Sequence, residues 1–383
     1  METPELLAQA LRPISDEIGR LRPGGAHVIE SHAHLGLDED GMSLDPEGLH
    51  RLLDQAEVHQ ALVFPLHDPE RSPAYRVPND RVLAWAGESE GRFVPFCRLD
   101  PAEDPIREAE RCLAAGAKGI KLHPRAQAFG LVAGGVPDIF ALAEQANVPI
   151  LIHAGRGLPP TFGAELVSIA QRHPGARLIL AHLGVTDQGV LAEGLRGHPG
   201  AVYDTSWLNP TDMLGLFARV PAERVVFGSD PPYGRTLVGL YLILRVAASL
   251  GLDGEMVRDI LGRTTQDLID GQPLREASPP RAPELLVFDH RLARIHTGLM
   301  MSFGAIMAGN VEMAVGMLEL AAAATRDPAP GDAAIALERI AKLLETALAL
   351  VTTQDESGAS RPALQAIVLA MTIAATEVPQ RRP

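Results

Sequence analysis

"VIESHAHLG", residues 28–36, opens on an apolar pair and then sets two histidines one residue apart. Val28 and Ile29 read as a short buried strand. Period-two alternation predicts that Glu30, His32 and His34 share one face of it. Imidazoles and carboxylates are poor fillers of an apolar interior unless a partner satisfies them there. Two neighbouring imidazoles can grip a metal ion or simply hydrogen-bond, so the rest of the chain has to decide.

From residue 26 to about residue 270 the chain repeats one rhythm. "HVIESHAH", "ALVFPLHD", "RFVPFCRLD", "AKGIKLHP", "VPILIHAG", "ARLILAHLG", "AVYDTSW" and "RVVFGSD" are eight short apolar runs that each end in polar residues. Helix-like stretches such as "DPIREAERCLAAG", "PDIFALAEQAN" and "AELVSIAQRHPG" lie between them. Eight strands alternating with helices predict an α/β fold, a (β/α)8 TIM-type barrel over residues 26–272. The continuous apolar character of the runs suits parallel strands covered on both faces. An open doubly wound sheet is the alternative, but no Gly-rich phosphate fingerprint comes after the first strand.

The flanks read differently. Residues 1–25 predict a helix opened by Thr3 and Pro4. Lacking a basic start and a continuous apolar core, they do not read as a leader peptide. "GQPLREASPPRAPE" is rich in Pro and charge and predicts a linker, placed at 273–283. Residues 284–383 then predict an additional C-terminal all-helical segment, in which "DAAIALERIAKLLETALALV" has apolar residues at helical spacing. Met300, Met301, Met307, Met313 and Met317 fall in its first part and are expected in core or subunit-interface packing rather than a binding groove.

Bulk composition narrows the function. Net charge is −14, which argues against nucleic acid or an anionic membrane surface as the main partner. No apolar run reaches the roughly 18 residues of a membrane span. Cys97 and Cys112 are the only cysteines, so no disulfide framework is implied and a cytoplasmic location fits. A small-molecule substrate is the expected partner, with a homodimer through the C-terminal helices as a further possibility.

In a barrel of this kind, chemistry sits at the C-terminal strand ends. His32 and His34 end the first run, Lys121 and His123 the fourth, His153 the fifth, His182 the sixth and Asp230 the eighth. A single strand-end histidine is usually a structural hydrogen-bonder, and Asp230 in "GSDPP" could be a turn former. Taken together, His32, His34, His153, His182 and Asp230 around one mouth point to a metal site.

The motifs "HAH", "GIKLHP", "IHAG", "LAHLG" and "FGSDPP", in this order and spacing, resemble the amidohydrolase superfamily. Within it they are most similar to the branch of aminocarboxymuconate-semialdehyde decarboxylase-like hydrolases and decarboxylases. The resemblance covers about residues 26–270 and leaves out the C-terminal helices. It implies one divalent metal ion, zinc with manganese as the alternative, held by His32, His34, His153 and Asp230. His182 would contact the reacting water or substrate, and Asp230 or His182 would move the proton. Two departures stand out: Glu30 where the family has Asp, and Arg263 where it has Asn. A strand-four lysine can also be carboxylated to bridge two metals in the superfamily. Lys121 with His182 keeps that binuclear option open, but the resembled branch implies a single ion, leaving Lys121 and His123 to the substrate or to supporting contacts.

Three histidines and one carboxylate are the donor set of a catalytic rather than a structural site. The set serves a hydrolase of an amide, ester or lactone. It serves equally a nonoxidative decarboxylase of a small unsaturated or aromatic acid, and a metal-binding scaffold without turnover is the third reading. Arg125, Arg156 and Arg235 each come just after a strand end that carries a proposed site residue, and a guanidinium fork matches a carboxylate. The expected substrate therefore bears a carboxylate, with Arg156 its foremost contact.

Overall fold

The computed structural model describes residues 3–132, 134–282, 289–327, 329, 331–352 and 360–376. Its centre is a barrel of eight parallel strands: β1 (Ile29–Leu37), β2 (Gln60–Pro65), β3 (Phe93–Arg98), β4 (Gly119–Leu122), β5 (Pro149–Ile152), β6 (Arg177–Leu180), β7 (Ala201–Asp204) and β8 (Val225–Val226). Each pairs with its sequence neighbour, as expected where every connection is a crossover carrying a helix. The short strand Ser43–Leu44 folds back antiparallel on the end of β1. Backbone bonds close the circle: Ser31 N–H donates to Phe227 O (2.9 Å), Asp230 N–H to His32 O (3.0 Å) and His34 N–H to Pro231 O (2.9 Å).

Alternation along the strands sorts two cores. Ile29, Leu62, Phe64, Val94, Phe96, Leu151, Ile179, Val202 and Val226 fill the barrel interior. Leu268, Ile269 and Leu274 join the same cluster, so the start of the stretch read as a linker packs against the interior. The intervening residues, such as Val63, Cys97, Ile120, Ile150, Ile152 and Leu178, face the outer helices.

One expectation is overturned here. The register of β1 against β2 shifts between Glu30 and Ala33, a β-bulge. Ile29 faces the interior, yet three residues later His32 faces it as well, while Ala33 and Leu35 face the helices. The inserted residue resets the alternation, so Glu30 does not share the histidines' face. It accepts instead from Ser229 N–H (2.7 Å), the Ser229 hydroxyl (2.5 Å) and His32 N–H (3.0 Å), which pins the bulge to the loop after β8.

The C-terminal helices His290–Met307, Val311–Ala324, Gly331–Thr352 and Ser360–Ala375 pack on one another and onto the barrel helix Thr236–Ser249. That helix, "TLVGLYLILRVAAS", is apolar almost all round, as a helix must be when both its sides are covered. Its one charge, Arg245, ion-pairs with Glu17 (2.8 Å) and donates to Thr376 Oγ1 (3.0 Å). Glu17 also takes the Tyr241 hydroxyl (3.0 Å) and the Arg339 guanidinium, which joins the N-terminal helix Thr3–Leu21 to the C-terminal segment. Burying these charges is tolerable because each has a partner.

The methionine stripe is not core throughout. Met301, Met307 and Met313 are about half exposed, while Leu292, Ile295, Leu299 and Leu318 fill the helix contacts. No helix among the described residues is long and apolar enough to cross a membrane.

Candidate metal centre

The site is organised from Asp204, at the end of β7. Its Oδ2 accepts the Nδ1–H of His32 at 2.7 Å. Its Oδ1 accepts the backbone N–H of His182 (3.0 Å), the backbone N–H of Ser206 (2.9 Å) and the Ser206 hydroxyl. Burial alone would raise this carboxyl, but the imidazoles of His32 and His182 and the Ser206 hydroxyl outweigh it and hold Asp204 far below the ordinary range. Asp204 is therefore a fixed anion.

A fixed anion and a fixed carbonyl decide the histidine tautomers. Because Asp204 only accepts, His32 carries its proton on Nδ1. His182 Nδ1 faces the carbonyl of Ser206 at 2.9 Å, so it too carries a proton there. His182 and Leu183 both adopt left-handed backbone (φ 58° and 59°), a sharp corner just after β6 and the kind of strain that concentrates at functional sites. Both Nε2 atoms are thereby left as lone pairs, that of His32 facing the Lys121 amine. Burial holds His32 down to about 3 and lowers His182 and His34 as well, so all three rings are neutral, the form that binds metal.

Asp230 meets these lone pairs. Its own φ is 60°, and Oδ1 lies 3.3 Å from His32 Nε2 and 3.2 Å from His34 Nε2. Among the described residues no hydrogen bond reaches this buried oxygen. Atoms of His32, His182 and Asp230 that could ligate a metal ion all lie within 4.8 Å of one another. Burial, with Asp204 and Glu30 nearby, pushes Asp230 well above the ordinary carboxyl range against the pull of Lys121. Phe64 forms an apolar floor, its ring centroid 5.3 Å from that of His32 and 4.6 Å from that of His34.

His153 and His182 show the same pattern. The carbonyl of Arg156 lies 3.3 Å from His153 Nε2 and places the proton on that atom. His153 Nδ1 then faces the bare His182 Nε2 at 3.0 Å. Two lone pairs at that distance repel unless a proton or a cation lies between them. An orphaned carboxylate oxygen among imidazole lone pairs, and a second pair of facing nitrogens, are donors that fit a divalent cation.

The other expected residues divide. Lys121 projects into the interior, its amine 3.2 Å from His32 Nε2 and 4.5 Å from the Phe64 ring centroid, with burial lowering it to about 7. His123 stacks on His153 (centroids 4.0 Å apart) and its Nδ1 accepts the Ala126 N–H, capping the helix Pro124–Gln127. The arginines Arg125, Arg156 and Arg235 are exposed on the rim. Arg156 lies 5.8 Å from the Trp207 ring centroid, and the Arg125 side chain runs beside Gly157.

Sequence reasoning missed Asp204, Ser206 and Arg98. Asp204 was within reach of the strand-end rule, since "AVYDTSW" ends β7 as the other runs end theirs. A separate cavity of about 640 Å³ lies beside Arg22, His59 and Arg92, before β1, β2 and β3 begin, and none of the site residues lines it.

The family model described as amidohydrolase matches residues 29–269. A Staphylococcus aureus protein assigned as an amidohydrolase is 18% identical over 64% of this chain and 99% of its own, with a TM-score of 0.51. Metarhizium anisopliae IDCase is 15% identical over 64% and 98%, with a TM-score of 0.51. An Acinetobacter baumannii protein assigned as a 2-pyrone-4,6-dicarboxylic acid hydrolase, with citric acid bound, is 13% identical over 64% and 99%, with a TM-score of 0.50. At these identities the likeness shows the fold. No curated protein matches the sequence.

Proposed function

This chain belongs to the amidohydrolase family, and we propose that within it the chain is a hydrolase using one divalent metal ion, most simply zinc, to cleave an amide, ester or lactone bond of a small carboxylate-bearing substrate. The observation that carries this reading is the buried Asp230 Oδ1, which has no hydrogen-bond donor among the described residues and faces two imidazole nitrogens. His32, His34, His153 and Asp230 would hold the ion. When bound, it supplies the Lewis acidity that makes water a nucleophile at neutral pH.

The chain's own groups do the rest. Asp204 keeps the His32 proton on Nδ1, and the Ser206 carbonyl does the same for His182, so both Nε2 atoms stay available. Asp230, through the carboxylate oxygen not engaged by the ion, would accept a proton from the attacking water and return it to the leaving group. His182 Nε2 orients the substrate's carbonyl or its water. Phe64 and the buried histidines exclude bulk water from the floor of the site. The rim arginines, Arg156 foremost, guide the anionic substrate inward.

The test couples metal analysis to product analysis. His32→Ala with His34→Ala should lose metal stoichiometry and turnover while the barrel stays folded, because the packed interior layers lie below the histidines. Full metal content in the double variant would overturn the ligand assignment. Carbon dioxide release in place of a new acid would replace hydrolysis by decarboxylation on the same ligands.

A further inference from the structure

Arg98 ends β3 and is 1% exposed, heading the largest fully buried side chains of the molecule. Val94 and Phe96 face the barrel interior, so alternation turns Arg98 inward too, one layer nearer the mouth. It pairs in register with Lys121 of β4, whose amine sits beside His32. Arg98 is therefore built into the wall of the metal site, below the rim on which Arg125, Arg156 and Arg235 lie.

Its hydrogen-bond account does not close. A guanidinium has five N–H groups. Arg98 Nε donates to Gln127 Oε1 (3.2 Å), one Nη1 proton goes to Pro65 O (3.2 Å), and Nη2 reaches His67 Nδ1 at the limit of 3.5 Å. Among the described residues, that leaves one N–H on each terminal nitrogen without an acceptor. The Tyr75 ring lies 5.1 Å from the guanidinium carbon and steadies the cation from one side. Among the described residues no carboxylate makes an ion pair with Arg98, and the field of Asp38 reaches it only from beyond that distance. Buried charges are normally paired, and Arg almost never lies fully buried otherwise.

We propose that Arg98 is the seat of an anion, binding the carboxylate of the substrate through its two spare N–H groups inside the barrel mouth. This rests on the reading of the substrate as a carboxylate bearer and moves its recognition from the exposed rim to the buried wall. A planar carboxylate matches a guanidinium fork through two parallel bonds, which a lysine cannot reproduce. The seat also sets a direction: the acid group lies toward β3, so the scissile group reaches across the mouth toward Asp230 and His182.

The probe is malonate, with neutral malonamide as its control, titrated calorimetrically into the full chain both before and after loading with zinc. Malonate should bind in preference to malonamide even before zinc is added. Arg98→Gln should weaken malonate at least tenfold and leave malonamide unchanged. Arg98→Lys, which keeps the charge and is the safer variant for folding, should fall between them. Arg156→Ala, on the rim, should weaken malonate less than Arg98→Gln does. Equal binding of malonate and malonamide, or unchanged malonate affinity in both Arg98 variants, overturns the proposal. A chain that binds malonate through Arg98 but hydrolyses nothing keeps the anion seat and removes the hydrolase reading.

Discussion

Replacing Asp204 by Asn tests the tautomer argument at its root. The two side chains have the same shape, but an amide has one accepting oxygen and one donating nitrogen. Three donors converge on Asp204 Oδ1 and only one, His32 Nδ1–H, on Oδ2. The amide oxygen will therefore take the Oδ1 position and the NH2 will face His32. Two donors cannot share that contact, so His32 must move its proton to Nε2, where it caps the lone pair that faces Asp230 at 3.3 Å. The ring keeps its place and loses its use.

Residues that orient a metal ligand typically contribute 10- to 100-fold in metal affinity. That corresponds to about 1.4–2.7 kcal/mol. The expected result for Asp204→Asn is a zinc affinity lower by that factor in a competition titration against a chelating dye. The nitrogen-15 spectrum of His32 should change from the Nδ1–H to the Nε2–H form. Because the amide still satisfies the Oδ1 donors, the unfolding temperature should fall less than the metal affinity. A variant with wild-type zinc affinity and an unchanged His32 tautomer would refute the reasoning.

Two further predictions concern the scaffold. Glu17→Gln leaves Arg245 and Arg339 buried or half-buried without their counter-charge and should cost about 3 kcal/mol at pH 7, read as a shift in denaturant midpoint. Burial raises the Glu17 carboxyl, but Arg339 and Arg245 overcome it and leave it below its usual 4.5. Its contribution is thus present above about pH 4.5 and is lost as pH falls through the lowered value, so the gap between wild type and variant should close on acidification; a gap independent of pH would contradict the pairing. Gly262→Ala places a Cβ 2.1 Å from the carbonyl oxygen of His27 and should destabilise by roughly 3 kcal/mol; an unfolding midpoint equal to wild type would show that the two backbones leave room for a methyl group.

How much of this was legible in the sequence differs by level. The barrel was, because eight apolar runs with helical spacers leave few other topologies. The mouth was, because the residues that end those runs are polar where the interior demands apolar ones. Within the mouth, conformations set by the tertiary fold were not. "VIESHAHLG" gives no sign of a bulge, since the extra residue is bound to Ser229, about 200 positions away. "LAHLG" gives no sign that His182 turns in the left-handed region, which non-glycine residues seldom enter.

The arginines show why proximity to a motif is a weaker guide than parity along a strand. Arg125, Arg156 and Arg235 stand within a few positions of proposed site residues, yet each lies beyond the end of its strand, Arg125 on the helix Pro124–Gln127 and the other two in loops, and each is exposed. Arg98 stands beside no motif, but it lies two residues after Phe96 on the same strand, and the pleat carries it to the same side. In an antiparallel sheet with one wet face that parity would be readable directly from alternating polarity. In "RFVPFCRLD" it is hidden, because a barrel strand is apolar on both faces: Phe93 and Cys97 meet the helices while Val94 and Phe96 meet the interior. Only the packing says which of the two apolar sets is the inner one, and with it whether the strand's last charge faces water or the centre of the site.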